Sequence, residues 1–303
     1  MIDFEPLSLE QKESYCRHLA QCGERGCEYS FANLYMWGRQ RCAVMGGRWV
    51  FFSQFNRKTV YPFPIGTGDL KPVVEAIMAD ARKRDIPCRI TGLNQDDCAA
   101  LEQLFPGKFR YHFDRDGFDY IYAIDDLADL KGRKFQRKRN HLNRFRDAHP
   151  DYSIEPITQE NLPEVKALLE QWYAEQVQTH PHSDFHMEKA AIKKALEHRE
   201  DLGMEGIVLR VDGRLWAMTM GSPLSAETFD IHFEKALNGQ DGAYAAINCE
   251  FARYLRGKYP NLKWLDREDD MGLEGLRKAK MSYNPTRMIE KNWACLLEDG
   301  YDY

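Results

Sequence analysis

No stretch of this 303-residue chain approaches the roughly 18 consecutive apolar residues of a membrane-crossing helix, so none is expected. The opening residues, Met1-Ile2-Asp3-Phe4-Glu5-Pro6, have neither the basic nor the apolar region of a secretory signal. The expected location is therefore cytoplasmic. Eight cysteines, at positions 16, 22, 27, 42, 88, 98, 249 and 295, never form a CxxC pair. Reduced thiols in or near the core fit that spacing better than a disulfide framework or a zinc site. His180, His182 and His186 also match no common metal-ligand spacing, so no metal is expected. GxSxG, P-loop and HExxH motifs are missing as well. Excess positive charge is absent too. The net charge is −5, which excludes a generic polyanion binder and confines any basic patch to one place.

What is present supports a packed α/β protein. Apolar residues make up 43% and charged residues 29% of the chain, and its length suggests about two domains. Internal similarity points the same way. Phe4-Glu5-Pro6-Leu7-Ser8-Leu9-Glu10 resembles Ile154-Glu155-Pro156-Ile157-Thr158-Gln159-Glu160. Each reads as a short strand, a proline stop, a hydroxyl residue and a helix. In the second copy Asn161 with Glu164 suggests a capping box, and Val165, Leu168, Leu169, Trp172 and Tyr173 recur at helical spacing. Gly46-Gly47 and Asp212-Gly213 lie between apolar runs, as tight hairpin turns require. Gly66-Thr67-Gly68 and Gly239-Gln240-Asp241-Gly242 each precede a helix, around 71–83 and 244–256. A strand, a short helix and closing strands follow in both halves.

Strand, two helices, hairpin, strand, glycine loop, helix, strand, helix, strand resembles the element order of the GNAT acyltransferase fold. In that fold the loop after the fourth strand offers backbone N–H groups to a pyrophosphate, aided by the helix N-terminus. Here Asn238-Gly239-Gln240-Asp241-Gly242-Ala243-Tyr244 fits the usual pattern only in part, and Asp241 opposes a phosphate. Gly242 and Tyr244 are the donor-binding candidates in this loop.

Three stretches stand out chemically. From Lys131 to Arg146, eight of sixteen residues are Lys or Arg and none is acidic. On a helix, Arg133, Arg137 and Asn140 share one face, while Phe135, Leu142 and Phe145 anchor others. Such a helix suits the phosphates of tRNA, coenzyme A or a lipid headgroup; a merely solvated helix would normally carry interleaved Glu. Lys134, Arg137, Arg139 and Asn140 are its candidate phosphate ligands. Second, Asp266-Arg267-Glu268-Asp269-Asp270 crowds acids at the end of an apolar strand, where open α/β sheets bind ligands. Glu268, Asp269 or Asp270 could serve as general base or ammonium ligand, or could cap the next helix. Arg267, Lys278, Lys280, Ser282 and Tyr283 are expected in the same cleft. Third, Tyr29–Gly38 is aromatic-rich; mostly core, it offers Tyr35 or Trp37 to a cleft. Glu234 and Asn248 complete the set, one at a strand end and one a turn into the following helix.

Phe31-Ala32-Asn33-Leu34-Tyr35-Met36-Trp37, the run 131–145, Gly242-Ala243-Tyr244-Ala245-Ala246-Ile247-Asn248, and Arg267–Gly272 through Lys278–Pro285 resemble a bacterial family related to the C-terminal domain of phosphatidylglycerol lysyltransferase. The last of these motifs is the longest and most specific. The resemblance covers nearly the whole chain and implies a tandem GNAT-like fold. It also implies kinship with Fem-like enzymes that move an aminoacyl group from charged tRNA to a lipid headgroup or a peptidoglycan precursor. The expected layout is a GNAT-like domain at 1–130, a basic connecting helix at 131–150 and a second GNAT-like domain at 151–303. The expected activity is transfer of an acyl or aminoacyl group, from acyl-CoA or aminoacyl-tRNA, to an amine or hydroxyl. Coenzyme A is the cofactor this reading admits, and peripheral contact with anionic lipid is a further expectation. The rival readings are a non-catalytic binder of RNA or anionic phosphate ligands, and a small-molecule sensor.

Overall fold

The computed structural model describes residues 1–38, 40–55, 58–179 and 185–297; His180 and His182 lie outside them. In chain order the first half runs β1 (Glu5–Pro6), α1 (Lys12–Leu19), α2 (Phe31–Trp37), β2 (Arg41–Met45), β3 (Arg48–Phe55), β4 (Lys58–Pro62), β5 (Ile65–Gly66), α3 (Leu70–Arg84), β6 (Arg89–Leu93), α4 (Gln95–Leu104), β7 (Phe109–Phe113), β8 (Asp119–Ala123), α5 (Ile124–Asp129) and α6 (Gln136–Ala148). The second runs β9 (Ser153–Pro156), α7 (Leu162–Thr179), α8 (His186–Glu197), α9 (Arg199–Leu202), β10 (Glu205–Val211), β11 (Arg214–Pro223), β12 (Thr228–Ala236), α10 (Ala243–Lys258), β13 (Trp264–Asp266), α11 (Glu274–Met281), β14 (Arg287–Ile289) and β15 (Asn292–Leu296).

The hairpins form at the expected glycines: Met45 pairs with Arg48 across Gly46-Gly47, and Val211 with Arg214 across Asp212-Gly213. The shared helix-start device sits one turn earlier than expected. Gln11 Oε1 accepts from Ser8 N at 2.9 Å, and Asn161 Oδ1 accepts from Thr158 N at 2.9 Å. Asn161 therefore turns back toward the preceding strand, where its Nδ2 also donates to the Pro156 carbonyl, and Glu164 pairs with Arg210 instead of completing a box with Asn161.

Two compact units result, and they are not the two contiguous halves. One comprises 1–119, 269–273 and 288–303; the other 120–268 and 274–287. In the first, the strand order is β1-β2-β3-β4-β6-β15-β7, with β5 on β3. The last strand among the described residues, β15, thus sits between β6 and β7, pairing Ala294 with both Ile90 and Tyr111. In the second, the order β8-β13-β12-β11-β10-β9 puts β8, a first-half strand, beside β13, with Leu265 opposite Tyr122. The expected boundaries at 130 and 150 therefore do not coincide with the spatial division, because each sheet takes a strand from the other half.

Each unit has a parallel pair bridged by a helix: β4 with β6 across α3, and β12 with β13 across α10. In the first unit Val73, Val74 and Ile77 of α3 pack with Tyr61, Ile90 and Ala294. In the second, α10 buries one broad apolar face, with Ala243, Ala246, Ile247, Phe251, Ala252 and Leu255, and carries Glu250, Arg253, Arg256 and Lys258 outside it. All eight cysteines are free thiols.

Candidate functional site

In the second unit β12 and β13 pair only through Thr228–Asp230 and Trp264–Asp266, and beyond that the pairing stops while β12 runs on to Ala236. A bulge follows directly. Gly221 faces Ile231 but Met220 faces Phe233, so His232 is an extra residue. The insertion shifts the alternation of side chains. Phe229 meets Phe251 of α10 with ring centres 6.0 Å apart, and Glu234, five residues on, reaches the same helix at Asn248. Strict alternation would have placed them on opposite faces.

Glu234 is held on both oxygens. Arg267 Nη2 donates to Oε1 at 2.8 Å and Asn248 Nδ2 to Oε2 at 3.1 Å. The Arg267 and Glu234 side chains retain 13% and 11% exposure. The guanidinium lies 5.0 Å from the Tyr283 ring centre and 5.7 Å from that of Tyr122. Its Nη1 and the Asn248 Oδ1 are buried with no hydrogen-bond partner among the described residues. Burial pushes the Tyr122 and Tyr283 phenols above their ordinary pKa, so both stay protonated. Lys138 of α6 brings its Nζ to 3.9 Å from the same Tyr283 ring centre. Burial first, then Arg267 and Arg137, hold this amine down to about 8.

The bulge residue belongs to a second, buried network. His232 Nε2 lies 2.8 Å from Ser222 Oγ, and Nδ1 lies 3.1 Å from Glu268 Oε1 and 3.4 Å from Asp230 Oδ2. The ring thus bridges the serine hydroxyl on one side and the two carboxyl groups on the other. Glu268 stands at φ 57° just past β13, a left-handed turn that aims its carboxylate at the histidine. Asp230, His232 and Glu268 are close enough to hold a metal ion, and a protonated ring nitrogen serves the same contacts.

Other sequence candidates scatter. Lys280 is buried; its ammonium donates to the carbonyls of Arg267 and, at 3.2 Å, of Glu268. It thereby fixes the turn that carries both side chains. Lys278 pairs with Glu274 on the exposed side of α11, and Ser282 Oγ donates to Ala279 O at 2.5 Å. Asp269 and Asp270 belong to the first unit. Asp269 Oδ1 accepts from Met271 N at 3.2 Å; buried Asp270 accepts from Gly272 N at 3.0 Å and lies 3.5 Å from Arg115. Tyr35 and Trp37 are half-buried on α2, Tyr35 stacking on Phe31 at 6.3 Å.

Phe135, just before α6, and Leu142 and Phe145 on it are buried as anchors. Arg137, Asn140, His141, Asn143, Arg144 and Asp147 line a shallow groove of about 620 Å³. Lys134 instead pairs with Asp126 at 2.8 Å, and Arg139 donates to the carbonyls of Leu130 and Gly132. Gly242, at φ 82°, lets the start of α10 approach α6; a Cβ there would lie 2.8 Å from that of Phe145. Tyr244 is 45% exposed on the first turn of α10.

The corresponding places in the first unit are filled. Tyr29 is fully buried and its hydroxyl donates to Gly92 O at 3.1 Å, past the end of the β4/β6 pairing. Arg25 lies over the Tyr29 and Phe63 rings and makes a two-pronged pair with Asp97. Gly68 packs so closely on the hairpin turn that a Cβ would overlap Gly46 O. Lys291 supplies the cation within Cys27, Glu28 and Asp119, at 3.3, 2.9 and 2.7 Å.

The family described as phosphatidylglycerol lysyltransferase, C-terminal, matches residues 19–295. This chain belongs to that family. Among solved structures, a conserved protein of unknown function from Bacteroides thetaiotaomicron VPI-5482 is 39% identical, with a TM-score of 0.91 over 98% of this chain and 100% of that one. L-PGS from Bacillus licheniformis is 15% identical, with a TM-score of 0.70 over 100% of this chain and 95% of that one. A tandem GNAT protein from the clavulanic acid biosynthesis pathway is 12% identical, with a TM-score of 0.50 over 99% of each chain. No curated protein matches. The fold is a tandem of two GNAT-like units, and among the described residues no helix is long and apolar enough to cross a membrane.

Sequence reasoning reached Glu234, Asn248, Arg267, Glu268, Lys280 and Tyr283. It missed Lys138, Tyr122, Ser222, Asp230 and His232. Lys138 was legible only as one cation among eight. His232 had the signal of a polar residue inside an apolar strand, but the bulge that gives it partners is a matter of register.

Proposed function

We propose that this protein transfers an acyl or aminoacyl group to an amine or hydroxyl in the second unit, where the β12/β13 pairing stops. The observation that carries the reading is the buried Arg267–Glu234–Asn248 assembly, with an unpartnered guanidinium nitrogen and amide oxygen, in the unit that also carries the cation-rich α6. Arg137, Asn140 and Arg144 hold the donor's phosphates by charge-assisted hydrogen bonds. Arg267 and Asn248 fix the transferred group, and Glu268, steadied by His232, orients the acceptor. Transfer of this kind depends on positioning and on loss of the acceptor's proton, without requiring an enzyme-bound intermediate. The family's description favours an aminoacyl ester as donor and a lipid hydroxyl as acceptor. Coenzyme A thioesters are the alternative donors, through the GNAT-like fold.

The test incubates the purified full chain with labelled aminoacyl-tRNA pools and acyl-CoA pools, with phosphatidylglycerol vesicles or amines as acceptors. Transfer from one pool that Arg267→Ala reduces supports the reading. Absence of transfer from every pool removes it. Binding without transfer would instead favour a non-catalytic phosphate binder.

A further inference from the structure

We propose that Lys138 is the uncharged amine that takes the proton from the acceptor during transfer, and is not one more phosphate-holding cation of α6. This rests on the transferase reading above and adds a residue and a role to it.

Burial over the Tyr283 ring separates Lys138 from Arg137 and Arg144, which line the open groove of the same helix, and its lack of a carboxylate separates it from the neighbouring cations. Lys134 has Asp126 at 2.8 Å, Arg139 is spent on backbone carbonyls, and Arg146 has Glu250 at 2.6 Å. Lys138 is half-buried with its Nζ over the Tyr283 ring, and among the described residues no carboxylate pairs with it. The groups that face it are Arg137 from its own helix, Arg267 from the end of β13, Glu234 from β12 and the protonated phenol of Tyr283. Glu234 is the one acid among them, and both its oxygens are engaged by Arg267 and Asn248. Partial burial and two guanidinium groups disfavour an ammonium ion here, and Glu234, already engaged by Arg267 and Asn248, offsets them only in part.

At pH 7.5 a lysine with its pKa at about 8 is uncharged roughly a quarter of the time, against roughly one part in a thousand for an ordinary lysine. That suits a general base, whose pKa should lie near the working pH. The chemistry balances without a further reactant. The acceptor's oxygen or nitrogen attacks the acyl carbon, and its proton passes to the Lys138 amine. The new acceptor–carbon bond replaces the donor's ester C–O or thioester C–S bond. The ammonium then returns the proton to the departing oxygen or sulfur. Arg267, fixed by Glu234 on the same aromatic ring, places positive charge where the acyl oxygen becomes negative.

The experiment has two arms. In the first, the full chain is labelled competitively with trace acetic anhydride between pH 6.5 and 10.5, and peptides are read by mass spectrometry, with exposed Lys166 as internal reference. Lys138 should label with a midpoint near 8, and Arg137→Ala should move that midpoint upward. A Lys138 midpoint equal to that of Lys166 overturns the proposal, whatever the activity. In the second arm, Lys138→Arg and Lys138→Met are compared in the transfer assay. The arginine keeps charge and bulk but cannot give up its proton. Both variants should lose roughly 10²-fold or more in turnover while donor binding changes by less than about threefold. A wild-type level of transfer by Lys138→Arg overturns the proposal and leaves the transferase reading standing. A wild-type protein that transfers nothing overturns the transferase reading itself, and the role given to Lys138 with it.

Discussion

Replacing Arg267 by Met should destabilise the second unit out of proportion to the contacts removed. The substitution leaves the Glu234 carboxylate in a site where its side chain is 11% exposed, with Asn248 as its remaining partner. Removing one member of a buried ion pair typically costs about 3–5 kcal/mol, because the remaining charge is uncompensated. Coulomb attraction at an effective dielectric near 20 gives about 4 kcal/mol for unit charges 4 Å apart, which agrees. Two units make whole-chain melting a poor measure. Hydrogen exchange of peptides from α10, read by mass spectrometry, reports the right place, and about 3 kcal/mol corresponds to a roughly hundredfold rise in exchange through opening. Glu234→Gln/Arg267→Met removes the orphaned charge yet keeps a side chain for Asn248, so it should recover at least half of the loss. An Arg267→Met loss below about 1 kcal/mol, or a double variant equal to the sum of the singles, would refute the reasoning.

Lys291→Met should strand the buried Asp119 carboxylate and Glu28, whose own pKa burial already raises, at a cost of about 3–5 kcal/mol; limited proteolysis should then release the segment carrying β15, and unchanged protection would contradict this. Gly242→Ala combines a Cβ 2.8 Å from Phe145 with a positive φ of 82°, so urea unfolding should show a loss of about 1–3 kcal/mol. Because Lys138 binds its proton less tightly when folded than unfolded, its ammonium opposes folding at pH 7, and that penalty fades as pH rises through about 8 toward the unfolded value. Lys138→Met should therefore be more stable than wild type at pH 7, by about 1 kcal/mol after allowing for solvent screening, and the difference should vanish near pH 10. Arg137→Ala with Arg144→Ala should lower the salt dependence of tRNA binding by about two phosphate contacts; an unchanged slope would take α6 out of the donor site.

Much of the fold was legible because it is written in local chemistry. Gly46-Gly47 and Asp212-Gly213 had to be turns, and Phe135, Leu142 and Phe145 had to anchor a helix whose other faces are cationic. What could not be read is which sheet a strand joins. Ile121–Ala123 and Ala294–Leu296 are apolar enough for either, and alternation specifies a strand without naming its neighbour. The site divides along the same line. Glu234 and Arg267 were recognisable as polar residues at apolar strand ends. Their pairing, and the partners of His232, follow from one inserted residue opposite Gly221 and Met220, a register detail that composition does not reveal.

The contrast between the units argues for where the chemistry resides. Both have the same parallel pair and the same bridging helix. In the first, side chains fill the space past the pair: Tyr29 bonds to Gly92 O, Arg25 is spent on Asp97, and the glycine loop lies against a hairpin turn. Arg25 Nε is also buried there without a partner, but both terminal nitrogens of that guanidinium are committed to Asp97. In the second, Arg267 and Asn248 each keep one buried polar atom without a partner among the described residues, and Lys138 has no carboxylate. Unmet hydrogen-bonding capacity costs stability unless something binds it. Asn248→Leu removes the open amide oxygen and also a donor to the buried Glu234 carboxylate, so it should lower the stability of the second unit by about 1–3 kcal/mol and abolish transfer together, whereas a purely structural cluster would give only the stability change.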